Sequence, residues 1–129
     1  MALSILLVDD SATVRGMIAR ALRLAKYPLV EDIREAANGA QALDILREHW
    51  VDLIITDIHM PEMGGLEMID RLRQDPVLSS IPVVIISTDG SSDRMTEARD
   101  KGVLGYLRKP FTPEQLKNLL TETLGTNHG

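Results

Sequence analysis

The sequence predicts one α/β domain built on a mostly parallel, five-stranded sheet with helices on both faces. Three observations predict it. Five short strand-like runs alternate with five segments of helical periodicity, a pattern that calls for parallel strands joined by helical crossovers. Three of the runs, Ser4–Val8, Val51–Ile55 and Ile81–Ile86, are apolar with almost no alternation, as strands covered on both sides must be. Their ends are polar: Asp9-Asp10, Asp57 and Ser87, with Lys109 just after the fifth run. A parallel sheet gathers such ends on one rim, and ligands of open α/β sheets bind at that rim.

The 129 residues suffice for one domain with a real core and are too few for two. With 44% hydrophobic and 26% charged residues, the chain is ordinary for a soluble globular protein. A net charge of -5 speaks against a nucleic-acid or anionic-membrane surface. The lack of cysteine excludes a disulfide framework, a thiolate zinc site and a cysteine nucleophile. No charged leader precedes a long apolar segment, so the expected location is the cytoplasm, without membrane insertion.

Taken in order, the first strand runs from Ser4 to Val8 and ends in Asp9-Asp10. Ser11 is the expected cap of the first helix, whose buried face would be Val14, Met17, Ile18, Ala21, Leu22 and Ala25, with Pro28 as its stop. Leu29–Ala36 is the second strand; its charges fit an edge better than a centre. Asn38-Gly39 is a turn, and Gly39, Leu43 and Leu46 predict a short helix closing near Trp50. The third strand, Val51–Ile55, runs into Asp57 and a turn rich in Pro and Gly. Leu66, Ile69, Leu72 and Arg73 fit one side of the third helix, which Asp75-Pro76 breaks. The fourth strand, Ile81–Ile86, leads into Ser87-Thr88-Asp89-Gly90. Ser91–Lys101 has helical character with few apolar positions (Met95, Ala98), so this fourth helix is expected to be the least firmly anchored. Val103–Leu107 is a short fifth strand. Thr112-Pro113-Glu114-Gln115 is a capping box with proline at the first helical position, Leu116, Leu119 and Leu120 supply the buried side, and Gly125 falls at the C-cap. The polar second strand at an edge fits the flavodoxin-like order 2-1-3-4-5.

The rim therefore collects Asp9, Asp10, Asp57, Ser87 and Lys109. Three carboxylates in a partly desolvated site repel one another, and a hard divalent cation such as Mg²⁺ offsets that repulsion. Lys109 can neutralise one carboxylate, and Pro110 after it admits a cis peptide bond. The set suits phosphoryl transfer, with Asp57 as a nucleophile that forms an acyl phosphate and with Ser87 and Lys109 binding phosphoryl oxygens.

Val8-Asp9-Asp10, Asp57 with Met60-Pro61 and Gly65, Ile86-Ser87, and Lys109-Pro110-Phe111 together resemble the receiver domain of two-component response regulators, of the stand-alone chemotaxis-regulator type. The resemblance covers residues 3–124, and the full strand order is taken over with it. It implies that Asp57 accepts a phosphoryl group from a phosphohistidine of a sensor histidine kinase or a histidine phosphotransfer protein. It implies Mg²⁺ on Asp10, Asp57 and the backbone carbonyl of His59, with Asp9 acting through water. Ser87 and Lys109 would contact the phosphoryl group. Ser87 and Tyr106 would be the switch residues, remodelling a face made by the fourth helix, the fifth strand and the fifth helix for an unidentified downstream protein. Direct nucleic-acid binding is not implied. The assembly would be a monomer or a phosphorylation-dependent dimer.

Departures from the family pattern lie around the site. Gly64 stands where an acidic residue is common, and Thr88 where a smaller one is, so Thr88 would restrict access to the phosphoryl group. His59 and Asp89 fall at positions that tune phosphate lifetime. Asp89 would position a hydrolytic water and His59 would shield or orient it; two exposed loop residues without such a role are the bland alternative. Residues 1–125 would form the receiver and 126–129 a short tail without an output domain. The chain reads either as a natural single-domain regulator or as an N-terminal piece of a longer one.

Two other functions compete with this one. An unphosphorylated interaction module would lose the acidic pair, the acceptor or the lysine, and all are present. A Mg²⁺-dependent aspartyl-phosphate phosphatase would need an acid/base carboxylate two residues after the nucleophile, where this chain has His59. A flavin or dinucleotide site lacks its glycine-rich loop after the first strand. His49 and His128 lie apart from the acidic cluster in the sequence, which disfavours a histidine metal site. Trp50 precedes Asp57 by seven residues, on the order of 20 Å along a strand. Tryptophan fluorescence is therefore expected to respond little to Mg²⁺, and a large quench would contradict that distance.

Overall fold

The computed structural model describes residues 3–24 and 30–124. The strands are β1 (Leu3–Val8), β2 (Val30–Ala36), β3 (Leu53–Thr56), β4 (Val83–Ser87) and β5 (Gly105–Arg108). The helices are α1 (Ala12–Leu24), α2 (Gly39–Glu48), α3 (Gly65–Gln74), α4 (Ser92–Asp100) and α5 (Pro113–Leu124). Every strand pairing is parallel, in the order β2-β1-β3-β4-β5. The expected architecture and the edge position of the charged β2 both hold.

Side chains of a strand alternate between faces, and the two faces carry separate cores. Leu6, Val8, Ile54, Val83 and Ile85 point to one side, where Ala42, Leu46, Met68, Ile69, Leu72 and Ala98 bring in α2, α3 and α4. Ile5, Leu7, Leu53, Ile55, Val84 and Ile86 point to the other, against Ile18, Ala19 and Leu22 of α1 and Leu116 and Leu120 of α5. Residues Ile5–Val8 and Leu53–Ile55 are at most 1% exposed. Burying each large side chain among them stabilises by about 1.5–3 kcal/mol. Summed over two strands, that exceeds the roughly 4 kcal/mol by which two like charges at ~4 Å repel near a protein surface. The central strands can thus carry carboxylates on their ends.

The helix ends follow their sequence signals. Ser11 Oγ accepts the Val14 N–H at 3.2 Å and starts α1. Asn38 caps α2 by accepting the Gln41 N–H at 2.9 Å. Thr112 and Gln115 form the reciprocal capping box, at 2.9 and 3.1 Å. Only Ala98 of α4 is buried, as its composition predicts. What holds α4 is its C-terminus. Val103 N–H reaches Ala98 O, and Gly102, at φ +83°, donates to Arg99 O, a Schellman ending. Arg73 adds bonds to the carbonyls of Lys101 and Gly102 from α3.

Four expectations need correction. Met17 is 56% exposed and Ala19 takes its place in the core, because α1 turns Ile18, Ala19 and Leu22 toward the sheet. Val51, Ile81 and Val103 precede their strands, and β3, β4 and β5 extend to Thr56, Ser87 and Arg108. Apolar runs report burial, and Val51 and Ile81 are buried in connections without joining the ladder. Arg73 is no part of an apolar face: it also donates to Ser79 O and Ile81 O, at 3.0 and 3.1 Å, and ties α3 to the next connection. The strand expected to begin at Trp50 starts only at Leu53, and Trp50 is 54% exposed, while α2 closes at Glu48, near Trp50 as expected. The expected contributions of Ala25, Pro28, Leu29, Gly125 and the 126–129 tail lie outside the described residues.

Candidate functional site

The ends of β1, β3 and β5 meet at one point of the rim. Asp9 is 3% exposed and held on every polar atom. Its N–H reaches Ala36 O at 3.0 Å. Oδ1 accepts the Ser11 N–H at 2.8 Å, and Oδ2 accepts Lys109 Nζ at 2.7 Å. Its carbonyl accepts a hydrogen bond from Arg15 Nη1. Asp10, the next residue, is exposed and has no hydrogen bond or ion pair to any described residue.

Asp57 follows β3 and is 9% exposed. Its N–H reaches Val8 O at 2.9 Å, which joins it to β1. Oδ1 accepts the Ile58 N–H at 2.6 Å, and Oδ2 accepts Lys109 Nζ at 2.9 Å. Behind it, Thr56 Oγ1 donates to the Asp57 carbonyl at 2.7 Å. Gly65 lies against the same carbonyl so closely that a Cβ there would collide with it. Glycine is needed here because α3 starts on the backbone of the acidic residue. The loop between them is fixed by Gly65 N–H on Ile58 O at 2.9 Å, and by Met63 N–H on Pro61 O at 2.7 Å.

Lys109 is delivered by β5; its N–H bonds Ser87 O at 2.9 Å, and the Lys109–Pro110 peptide is cis. Burial alone would lower its pKa. The hydrogen bonds to Asp9 and Asp57 and their charges outweigh burial and raise it. The lysine pairs with both carboxylates, and its single positive charge leaves one negative charge over on the pair.

Asp9, Asp10 and Asp57 present carboxylate oxygens that lie within 4.8 Å of one another. The donors are hard oxygens, without thiolate or imidazole, which fits Mg²⁺ rather than a softer transition metal. Asp10 and the Asp57 edge are the accessible parts of that set. Asp9 and Asp57 each have both oxygens hydrogen-bonded and differ in exposure, 3% against 9%.

The remaining predicted residues form a second layer on the β4–α4 side. Ser87 is fully buried, and its Oγ accepts the Asp89 N–H at 3.1 Å rather than facing Asp57 in a hydrogen bond. Thr88 is exposed. Asp89 Oδ2 pairs with His59 Nε2 at 2.8 Å and with Arg94 Nε at 3.6 Å, so the two residues expected to act on one water are also joined directly. The His59 hydrogen bond, and then the Ser91 N–H, lower the Asp89 pKa to about 2. The Asp89 carbonyl accepts the Tyr106 hydroxyl. Burial, then the charges of Asp89 and Asp57, raise the tyrosine's pKa. Arg15, Thr56 and Glu62 escaped the sequence reading, since nothing in their spacing separates them from ordinary surface or strand residues.

The family model described as "Response regulator receiver domain" matches residues 5–121. The chain belongs to that family. Among the receivers it resembles, "Chemotaxis protein CheY1" of Helicobacter pylori is 39% identical over 126 residues, covering 97% of this chain and 99% of that protein. A "Chemotaxis protein CheY homolog" of Campylobacter jejuni is 37% identical over 128 residues, covering 98% of this chain and 96% of that protein. The solved structure of chemotaxis response regulator CheY4 of Vibrio cholerae superposes with a TM-score of 0.85 at 32% identity, covering 96% of this receiver and all of that chain. The phosphorylated cyanobacterial phytochrome response regulator RcpA superposes with a TM-score of 0.83 at 28% identity, covering 98% and 96%. Among the described residues of this receiver, no helix is long and apolar enough to cross a membrane.

Proposed function

We propose that this receiver is a phosphorylation switch in which Asp57 takes a phosphoryl group from the phosphohistidine of a histidine kinase or histidine phosphotransfer protein. The observation that carries the proposal is the Asp57 carboxylate itself. It sits at the end of a buried strand, hydrogen-bonded to Lys109, within a three-carboxylate cluster of suitable donors. The bond formed is Asp57 O–P and the bond broken is the P–N bond of phosphohistidine; the imidazole leaves with that electron pair. The phosphorylated state of RcpA, a structural relative, supports such chemistry on this fold.

Asp10, Asp57 and the His59 carbonyl would hold Mg²⁺, with Asp9 acting through water. When bound, the ion screens the approach of one anion to another. Lys109 keeps Asp9 as a partner when it turns one bond from Asp57 to a phosphoryl oxygen. Ser87 exchanges its contact with Asp89 for the phosphoryl group, and Tyr106, tied to the Asp89 carbonyl, follows that loop. Hydrolysis of the acyl phosphate resets the switch. The His59–Asp89 pair lies beside that step, and Thr88 restricts access to the phosphoryl group.

The output would be binding on the face of α4, β5 and α5. A cleft of about 190 Å³ there is lined by Met95, Ala98, Val103, Leu104 and Tyr106 among others, and Leu104 is 53% exposed. Relatives described as chemotaxis proteins support a role of that kind. Intact-protein mass after incubation with acetyl phosphate, with and without Mg²⁺, tests the proposal. We expect a Mg²⁺-dependent gain of one phosphoryl group that Asp57→Asn abolishes. No gain in folded protein, with acetyl phosphate or a phosphorylated histidine phosphotransfer protein, would leave the unphosphorylated interaction module.

A further inference from the structure

The acidic cluster is supported unequally. Lys109 and the Ile58 N–H orient Asp57, and Lys109 and the Ser11 N–H orient Asp9. Asp10 has no side-chain partner among the described residues, so its direction depends on the backbone that carries it. Two groups grip that backbone at Asp9. One is the ladder-like bond from Asp9 N–H to Ala36 O. The other is Arg15, whose Nη1 donates to the Asp9 carbonyl while its Nε donates to Glu35 Oε1 at 2.9 Å. The Asp9 carbonyl belongs to the peptide that leads into Asp10. The arginine side chain is only 16% exposed, although Glu35 is 44% exposed. The planar fork of a guanidinium can serve a carbonyl and a carboxylate together, which a lysine ammonium cannot do with the same geometry.

We propose that Arg15 is a positioning residue for the cation site: it fixes the Asp9–Asp10 peptide so that the unpartnered Asp10 carboxylate faces Asp57, and Glu35 holds Arg15 in place. The inference rests on the phosphorylation-switch reading. Arg15 acts through Asp9 and need touch neither the ion nor the phosphoryl group. Its charge sharpens the test. A cation beside a cation site weakens binding by repulsion, so removing it should tighten binding if charge alone mattered. Loss of positioning has the opposite sign.

Cation affinity is read without phosphorylation, from the free-ion electron paramagnetic resonance signal of Mn²⁺ and its displacement by Mg²⁺. Arg15→Gln is expected to weaken binding about tenfold, the low end of the cost of losing a supporting residue at a metal site, because the lost charge works in the other direction. Arg15→Lys retains the charge and should still bind more weakly than the wild type. Glu35→Gln, which lies outside the acidic cluster, should weaken binding by a smaller factor and covers the case in which the Arg15 variants fail to fold by circular dichroism. Unchanged or tighter binding in folded Arg15→Gln, or no loss in Glu35→Gln when the Arg15 variants do not fold, would overturn the role of Arg15. Asp10→Asn separates the two levels. If it abolishes binding while the Arg15 variants bind normally, the site stands and the positioning claim falls. If the wild type binds neither Mn²⁺ nor Mg²⁺, the site reading fails and takes the proposal with it.

Discussion

Replacing Glu62 with glycine should make this receiver more stable, although glycine usually destabilises. Glu62 has φ +67°, the one non-glycine residue with positive φ among the described residues, and Met63 N–H closes the turn onto Pro61 O. A side chain in left-handed backbone costs about 1–2 kcal/mol because Cβ crowds the following carbonyl. Glycine removes that cost and adds about 0.4–1 kcal/mol of unfolded-chain entropy against folding. The balance is a gain of about 0.5–1 kcal/mol, or roughly 2–4 °C in Tm for a domain of this size. Glu62 is exposed and no described partner is lost. Its charge is controlled by Glu62→Ala, which removes the same carboxylate but keeps Cβ and the strain. Thermal unfolding followed by circular dichroism, without Mg²⁺, should rank glycine above both alanine and wild type. Equal midpoints for the alanine and glycine variants would show that charge rather than backbone conformation sets the effect, and would refute the strain argument.

Gly65→Ala should lower the unfolding free energy read from denaturant titration by about 1–3 kcal/mol, the usual range for forced overpacking, because the new Cβ meets the Asp57 carbonyl, which cannot turn aside; the same variant should accept phosphoryl more slowly from acetyl phosphate. Lys109→Met should cost about 2–3 kcal/mol at neutral pH, below the ~3–5 of a fully buried pair, since Asp57 retains 11% side-chain exposure. The folded lysine's pKa is raised above its ordinary 10.5, so its contribution is complete below that value and lost as pH rises through the folded pKa. Chemical-denaturation curves of wild type and variant should therefore keep a constant gap from pH 7 to 10 and converge above it. His59→Ala should move the Asp89 pKa from about 2 up toward 3.8. In the wild type the contacts of the ionised carboxylate are present above 3.8 and lost as pH falls through about 2, so carboxyl-carbon NMR between pH 5 and 1.5 reads the shift directly; an unmoved midpoint would remove His59 as its cause.

The site is legible in the sequence because its chemistry sits at strand ends. Asp9, Asp10, Asp57, Ser87 and Lys109 each follow an apolar run, and parallel pairing leaves one rim for all of them. The alternation of elements, the edge role of β2, the capping box at Thr112–Gln115 and the weak burial of α4 were legible for the same reason: each depends on neighbours within a few residues, where periodicity and caps are written. The pairing of Lys109 with two carboxylates was not, since it joins positions 100 and 52 residues apart.

Other features depend on how the elements pack. Met17 satisfies the helical pattern yet faces solvent, because the sheet selects which part of the α1 surface is covered. His59 and Asp89 are 30 residues apart, and only the approach of the β3–α3 and β4–α4 loops makes them a hydrogen-bonded pair. Arg73 matches an apolar phase of α3 and instead gathers carbonyls from two other segments. Arg15 looks like a surface arginine until α1 packs beside β2 and brings it to the Asp9 carbonyl. The fold class and the residues that meet at the rim are written locally, because periodicity and strand polarity are properties of short segments. Which side chains hold those residues in place emerges on packing, because long side chains choose partners across distances that no spacing along the chain encodes.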